Sequence, residues 1–239
     1  MKDNLFKENL ETRPFVFDDK VANVFDDMIN RSVPGYAPIT GLIGILAQKY
    51  VQPKTNVYDL GCSLGTGTLS MRRKISHADC KIIAIDNSSA MIERCRKNIE
   101  LDQTPIPVEV LCVDVRDVNI ENASMAVMNF TLQFIEPAHR LKVIQRVYDG
   151  LLPGGIFVLS EKIKFSDPVE DQTQTELYYA YKKMNGYSDL EISQKRNALE
   201  NVLFPDTIEE HFLRFKQAGF KQAFVWFQCF NFVSLVAFK

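Results

Sequence analysis

The sequence predicts an α/β chain: a mostly parallel, seven-stranded sheet with helices on its faces, a C-terminal antiparallel hairpin and a helical insertion. Three observations lead there. Apolar runs such as Ile82-Ile83-Ala84-Ile85 are continuous rather than alternating, as strands covered on both faces are. These runs alternate with amphipathic helical segments, the pattern of a layered α/β sheet. The last two strand-like runs, Phe220–Gln228 and Phe232–Phe238, are separated only by a short break near Cys229–Asn231. A parallel return needs a long crossover, so this pair must be antiparallel.

Taken in order, residues 1–17 read as irregular. Residues 18–31 form a helix, because Val21, Val24, Phe25, Met28 and Ile29 fall on one stripe. Ser32-Val33-Pro34-Gly35-Tyr36 is a turn, and residues 38–50 a second helix. Strand 56–60 comes next, then helix 66–74, strand 81–86, helix 89–101, strands 108–113 and 124–129, helix 137–150 and strand 155–161. Leu152-Pro153-Gly154-Gly155 reads as the tight turn before that last strand. Residues 165–203 interrupt the alternation. They are helical and rich in tyrosine and charge, including a helix Asp189–Leu203, and they read as an insertion covering the site. A helix at 206–218 leads into the hairpin. The whole is one domain, 1–239, with a helical cap over 1–50 and the insertion at 165–203.

At 239 residues, with 46% hydrophobic and 24% charged residues, the chain has the balance of a soluble globular protein. A net charge of −2 disfavours a polyanion partner, so direct nucleic-acid binding is not expected. The five cysteines form no C-x-x-C pair and the three histidines show no ligand spacing, so neither disulfides nor a metal is expected. There is no apolar leader and no run near membrane-spanning length, which points to a cytoplasmic protein without a membrane partner.

The chemistry lies at the strand ends, where open α/β sheets bind ligands. Asp59-Leu60-Gly61-Cys62-Ser63-Leu64-Gly65-Thr66-Gly67 follows the first strand, and Asp86 closes the second, 19 residues after Gly67. Glycines let backbone approach a ligand closely, and an acid at that distance can accept from a ribose diol. The spacing is G-x-x-x-G-x-G rather than the G-x-G-x-x-G of dinucleotide binders. Asp86 also suits a plainer role, an acid at a helix start with Ser88 or Ser89 as the cap. Asp114-Val115 ends the third strand, placed to meet an adenine amine and ring. Asn129-Phe130 ends the fourth, facing the reacting centre. No Pro-Pro-Tyr follows Asn129, and no general base for methyl transfer is evident. Together with the hairpin, this order resembles the methyltransferase-type Rossmann fold and S-adenosyl-L-methionine as ligand.

Two further residues draw attention. Ile192, Leu199 and Leu203 fall in a narrow arc, and Arg196 lies only about 20° beyond it. A guanidinium there needs an anion, either a ligand carboxylate or a local acid such as Glu200. Tyr36 either caps the pocket or packs beneath the N-terminal helices.

A closer resemblance then emerges. Pro-Gly-Tyr36, the loop Asp59–Gly67, Ile-Asp86-Asn87-Ser-Ser-Ala-Met, Asn129-Phe-Thr-Leu-Gln-Phe-Ile, Gln-Lys-Arg196-Asn-Ala-Leu-Glu-Asn-Val and Trp226-Phe-Gln-Cys-Phe-Asn-Phe together resemble the carboxy-S-adenosyl-L-methionine synthase family over nearly the whole chain. The resemblance implies an enzyme that takes S-adenosylmethionine as substrate, with no metal, and turns prephenate into phenylpyruvate. The carbon dioxide released is captured by the deprotonated sulfonium methyl. The product is the carboxymethyl donor that a separate enzyme uses on the tRNA wobble uridine (cmo5U). It further implies that Tyr36, Gly61, Cys62, Ser63, Asp86, Asn87, Asp114, Val115 and Asn129 bind the cofactor, that Arg196 is the catalytic residue holding the added carboxylate, and that the protein is a homodimer. An ordinary methyltransferase acting on a small molecule or tRNA, and a non-catalytic S-adenosylmethionine-binding partner protein, are the alternatives.

Overall fold

The computed structural model describes residues 2–7, 14–77 and 79–239, so Met1 and part of the irregular lead expected over 1–17 lie outside the described residues. Five parallel strands make up most of the sheet: β1 (Asn56–Leu60), β2 (Lys81–Asp86), β3 (Val108–Cys112), β4 (Ala123–Asn129) and β5 (Leu151–Lys162). The hairpin β6 (Gln222–Cys229) and β7 (Phe232–Phe238) completes it, with β7 antiparallel to both β5 and β6. The order is β3-β2-β1-β4-β5-β7-β6, seven strands in one sheet. The chain therefore works outward from β1 to one edge and then returns from β4 to the other, leaving a switch point between β1 and β4.

Continuous apolar strands follow from this layering. Tyr58, Leu60, Met128, Phe157 and Leu159 pack on one face with α5 (Pro137–Gly150) and α8 (Ile208–Ala218). Their neighbours Val57, Val127, Ile156 and Val158 pack on the other with α2 (Tyr36–Tyr50) and α3 (Thr66–Arg72). Successive strand residues point to opposite faces, and here both faces are core. α1 (Asp19–Ser32) and α4 (Ser89–Leu101) start at side-chain caps, Asp18 accepting from the Val21 amide and Ser88 from the Met91 amide. The inserted helices α6 (Pro168–Met184) and α7 (Asp189–Leu199) are capped by Asp167 and by a Ser188–Glu191 capping box. Among the described residues no helix is long and apolar enough to cross a membrane.

Three departures from the expected boundaries bear on the site. Tyr36 opens α2 instead of ending the preceding turn, since Gly35 at φ 80° reverses the chain one residue earlier. β5 begins at Leu151, ahead of Pro153-Gly154; a register shift against β4 between Ala123 and Met125 absorbs the extra residues of the expected turn. α7 stops at Leu199, not Leu203. The chain beyond it is drawn off by other partners: Phe204 N–H donates to the Gln133 carbonyl, and Asp206 bridges Ile163.

That last segment is anchored by Arg140, which is almost wholly buried. Its guanidinium donates to the carbonyls of Ile135, Gln133 and Phe204 and pairs with Asp206, which Arg214 also holds. Removing one member of a buried network leaves stranded acceptors, so Arg140→Met is expected to lose about 3 kcal/mol or more in urea unfolding. Glu161 supports the neighbouring loop by accepting from the Leu132 amide, and burial pushes its carboxyl from 4.5 up to about 8. Its folded state therefore holds an extra proton between those values, so its contribution is complete at low pH and is lost as pH rises toward about 8. Glu161→Gln, which mimics the protonated form, is expected to gain stability over the native protein between about pH 5 and about pH 8. A constant difference in urea midpoints across that range would refute the assignment.

Candidate functional site

A cavity of about 540 Å³ opens at the C-terminal ends of the parallel strands, beside the switch point. This is the size range of small-ligand sites. Every residue singled out from the sequence lines it: Tyr36, Gly61, Cys62, Ser63, Asp86, Asn87, Asp114, Val115, Asn129 and Arg196. The sheet supplies them in order along its edge, while α1, α2, α6 and α7 close the cavity from above with residues such as Phe25, Tyr36, Tyr178 and Leu199.

The loop after β1 turns at Gly61, at φ 90°, where a Cβ would lie 2.1 Å from Thr131 Oγ1. The turn lets Gly61 and Cys62 N–H both donate to the Ile85 carbonyl at 2.8 Å. Ser63 is held at φ 51° and its amide donates to Asp86 Oδ2 at 2.9 Å, while the Ser88 amide donates to Oδ1 at 2.9 Å. Asp86 is thus oriented by one backbone amide on each oxygen. Each oxygen keeps a further lone pair, the arrangement a diol requires. Burial raises its pKa above the ordinary carboxylate value. The plainer reading of this acid is seen directly, since it accepts from the amide of Ser88, the cap of α4, and the same carboxylate lines the cavity.

Asp114 reaches the cavity in a different state. Arg116 grips it with Nε on Oδ1 at 2.9 Å and a terminal nitrogen on Oδ2 at 2.8 Å, and this holds its carboxyl below the usual range. Asn129 ends β4 with its Oδ1 buried and without a donor among the described residues. A buried acceptor is rarely left so, and the cavity it lines offers space for a ligand's N–H or O–H. The next residue, Phe130, sits at φ 62°, a second non-glycine outlier on the cavity wall after Ser63. Such strain tends to gather at binding sites. Tyr36 packs against Phe130 with ring centroids 6.3 Å apart, and burial pushes its hydroxyl up to about 12. It is both cavity wall and core.

Arg196 requires a correction. Its place beside the Ile192–Leu199–Leu203 arc predicts a side chain facing inward with that apolar stripe, but it is exposed and touches the cavity from its rim. The buried stripe of α7 is Glu191, Ile192, Lys195 and Ala198, and the helix ends at Leu199, before Leu203 can join an arc. The inward cation is Lys195, which donates to Ser32 Oγ at 2.8 Å. No ion pair joins Arg196 to Glu200 or to another acid among the described residues.

The sequence reading also passed over several cavity residues. Asp59 is fully buried, accepts from Thr68 Oγ1 at 2.6 Å, and has its carboxyl pushed up to about 6 by burial. Lys162 and Lys182 line the cavity beside Tyr178. The position of Asp59 at a strand end was a usable signal, whereas nothing in the spacing of the lysines distinguishes them from solvated charges. Among the described residues no cluster of three or more His, Cys, Asp or Glu could hold a metal ion.

The glycine turn yields a paired expectation. Gly61→Ala forces a side chain into Thr131 at a positive φ, so S-adenosylmethionine affinity by calorimetry is expected to fall by about tenfold or more. Gly41→Ala, on an exposed position of α2 with nothing within 4 Å, is expected to bind as the native protein does and to gain about 0.5 kcal/mol in stability.

The chain is similar to known proteins in fold and in sequence. Residues 57–155 match the family model for a methyltransferase domain. Among solved structures, the chain aligns with a Methanococcus maripaludis protein provisionally assigned as an S-adenosyl-L-methionine-dependent methyltransferase, at TM-score 0.60 and 19% identity over 97% of each chain. It also aligns with human N-acetylserotonin methyltransferase in complex with SAM, at TM-score 0.60 and 12% identity over 92% of this chain and 55% of that one. At such identities these two show the fold alone. Sequence relatives go further. The carboxy-S-adenosyl-L-methionine synthase of Klebsiella pneumoniae is 56% identical over all of this chain and 97% of its own length. That of Shewanella piezotolerans is 53% identical over 100% and 98%, and that of Salmonella paratyphi A 57% identical over 94% and 91%. This chain belongs to the carboxy-S-adenosyl-L-methionine synthase family.

Proposed function

We propose that the protein makes carboxy-S-adenosyl-L-methionine from S-adenosyl-L-methionine and prephenate, releasing phenylpyruvate. The observation that carries this is identity of 53–57% over nearly the full length to synthases of that name. Prephenate loses its ring carboxylate as carbon dioxide; the electron pair left behind aromatises the ring and expels the ring hydroxyl. The sulfonium methyl gives up a proton, which combines with that hydroxide as water, and the resulting carbanion forms the new bond to carbon dioxide. In this reading the Gly61–Ser63 backbone and Asn129 hold the amino-acid part, Asp86 and Asn87 the ribose, and Asp114 and Val115 the adenine. Arg196, on the cavity rim, receives the added carboxylate. The acceptor is made in place, so no macromolecular acceptor has to enter. The product passes to a separate enzyme acting on the wobble uridine of tRNA, and the working unit is a homodimer.

Purified protein given both substrates is expected to yield a nucleoside heavier than S-adenosylmethionine by one carbon dioxide. S-adenosylhomocysteine with a methylated acceptor would instead make the chain an ordinary methyltransferase. Tight binding with no turnover would make it a binding protein. Arg196→Ala is expected to weaken the carboxylated product by about tenfold or more, near 1.4 kcal/mol, and S-adenosylmethionine much less. Equal losses for both ligands, measured by calorimetry, would remove Arg196 from this role. Light scattering on the purified protein checks the dimer.

A further inference from the structure

Lys162, Lys182 and Lys195 come from three separate elements, β5, α6 and α7, yet all three line the same cavity. Lys182 and Lys195 are only 4% and 6% exposed. The ammonium of Lys162 sits 5.2 Å from the Tyr178 ring centroid and that of Lys182 4.8 Å from it, so the two share one aromatic neighbour. Lys195 lies 5.7 Å from the Tyr187 ring and bonds Ser32 Oγ. None of the three has an ion-pair partner among the described residues. Asp3 acts on Lys195 and Asp171 on Lys162 through space, without an ion pair, and no acid acts on Lys182 among the described residues. Asp3 accepts from Tyr187 Oη at 2.6 Å, and Asp171 accepts from the Phe165 amide at 2.8 Å. Arg31, stacked on Tyr187, adds a further positive charge rather than a counterion.

Buried cations without an ion-pair partner are costly, and proteins seldom keep them unless something pairs with them. Burial lowers the basicity of all three: Lys182 falls to about 6, with Lys195 and Lys162 repelling it further, and Lys195 falls to about 8. An entering anion would reverse that. The cavity wall on this side is aromatic. Tyr36, Phe130, Phe232 and Tyr178 follow one another with centroid separations of 6.3, 6.0 and 5.0 Å. Such a wall suits a flat unsaturated ring. It lies over β4, β5 and β7, whereas Asp86 and Asp114 lie over β2 and β3 on the other side of β1.

We propose that Lys162, Lys182 and Lys195 form the subsite for a dianionic, ring-bearing organic acid, taking its carboxylates on the ammonium groups and its ring on the Tyr36–Phe130–Phe232–Tyr178 wall. The identification of that acid as prephenate rests on the functional reading above; the subsite itself rests on the lysines.

The test uses the full-length protein and the variants Lys162→Met, Lys182→Met, Lys195→Met and Lys182→Arg. The Met variants are expected to raise the KM for prephenate by about tenfold or more while S-adenosylmethionine affinity stays within about threefold. Lys182→Arg, which keeps the charge, is expected to recover part of the loss. Melting temperatures should hold or rise, because each Met removes a buried charge, which separates lost binding from lost folding. An unchanged KM in folded Met variants would overturn the proposal. So would an equal loss of S-adenosylmethionine affinity, which would assign the lysines to the methionine carboxylate. If the native protein makes no carboxylated product, the functional reading fails and the subsite is judged by titrating prephenate into the S-adenosylmethionine-saturated protein. Binding that Lys182→Met abolishes would support it; no binding, or equal binding, would overturn it.

Discussion

The pin at Asp86 is the constraint on which the site depends. Its two oxygens take the amides of Ser63 and Ser88, so one carboxylate fixes both the glycine loop after β1 and the start of α4. The carbonyl just before it, on Ile85, takes the amides of Gly61 and Cys62. The ends of two parallel strands are thereby locked together without a ligand. A ligand that enters meets a loop backbone and a carboxylate already oriented, and it does not have to supply the ordering entropy of that loop. The positive φ at Gly61 and Ser63 is the conformational cost of this arrangement.

A second anchor serves the opposite half. Arg140 gathers carbonyls from the 133–135 turn and from Phe204, while Glu161 holds the Leu132 amide. Gln133, Phe134, Ile135 and Pro205 all line the cavity, so these buried polar groups shape its floor. Neither Arg140 nor Glu161 lines the cavity itself. Their contribution is to place backbone that does.

The glycine loop, Asp86, Asp114 and Asn129 were readable from sequence because local order places them: each stands within a few residues of a strand's end, and a parallel sheet brings all strand ends to one edge. The hairpin was readable because chain length forbids any other pairing. The phase of α7 was not. A stripe drawn through Ile192, Leu199 and Leu203 assumed a helix four residues longer than the one that forms, and the bonds that end it, at Phe204 and Asp206, are made to residues far away in sequence. The same gap hid the buried lysines. Their meeting is a product of three elements converging, and a lysine on a tyrosine-rich helix carries no local mark of burial. Asp59 was visible as a strand-ending acid, but its buried state depends on Thr68 and Gly67 folding over it.

The cavity is electrostatically polar, and a net charge of −2 conceals this. Asp59 and Asp86 stand at the end where β1 and β2 terminate, Asp114 beside them is matched by Arg116, and the lysines stand at the end covered by α6 and α7. Where protein shields them from water, charges interact more strongly than in bulk solvent. A ligand of net positive charge, such as one with a sulfonium and an ammonium against a single carboxylate, is favoured toward the acidic end and disfavoured at the other. An organic dianion has the reverse preference. Under the proposed reaction, two substrates of opposite charge would sort themselves along one continuous cavity, with their reactive ends meeting over β4, where Asn129 and Phe130 stand. Orientation of that kind needs no moving part, and a reaction that joins a carbanion to a freshly released gas depends on it, because carbon dioxide escapes unless its acceptor is already in place.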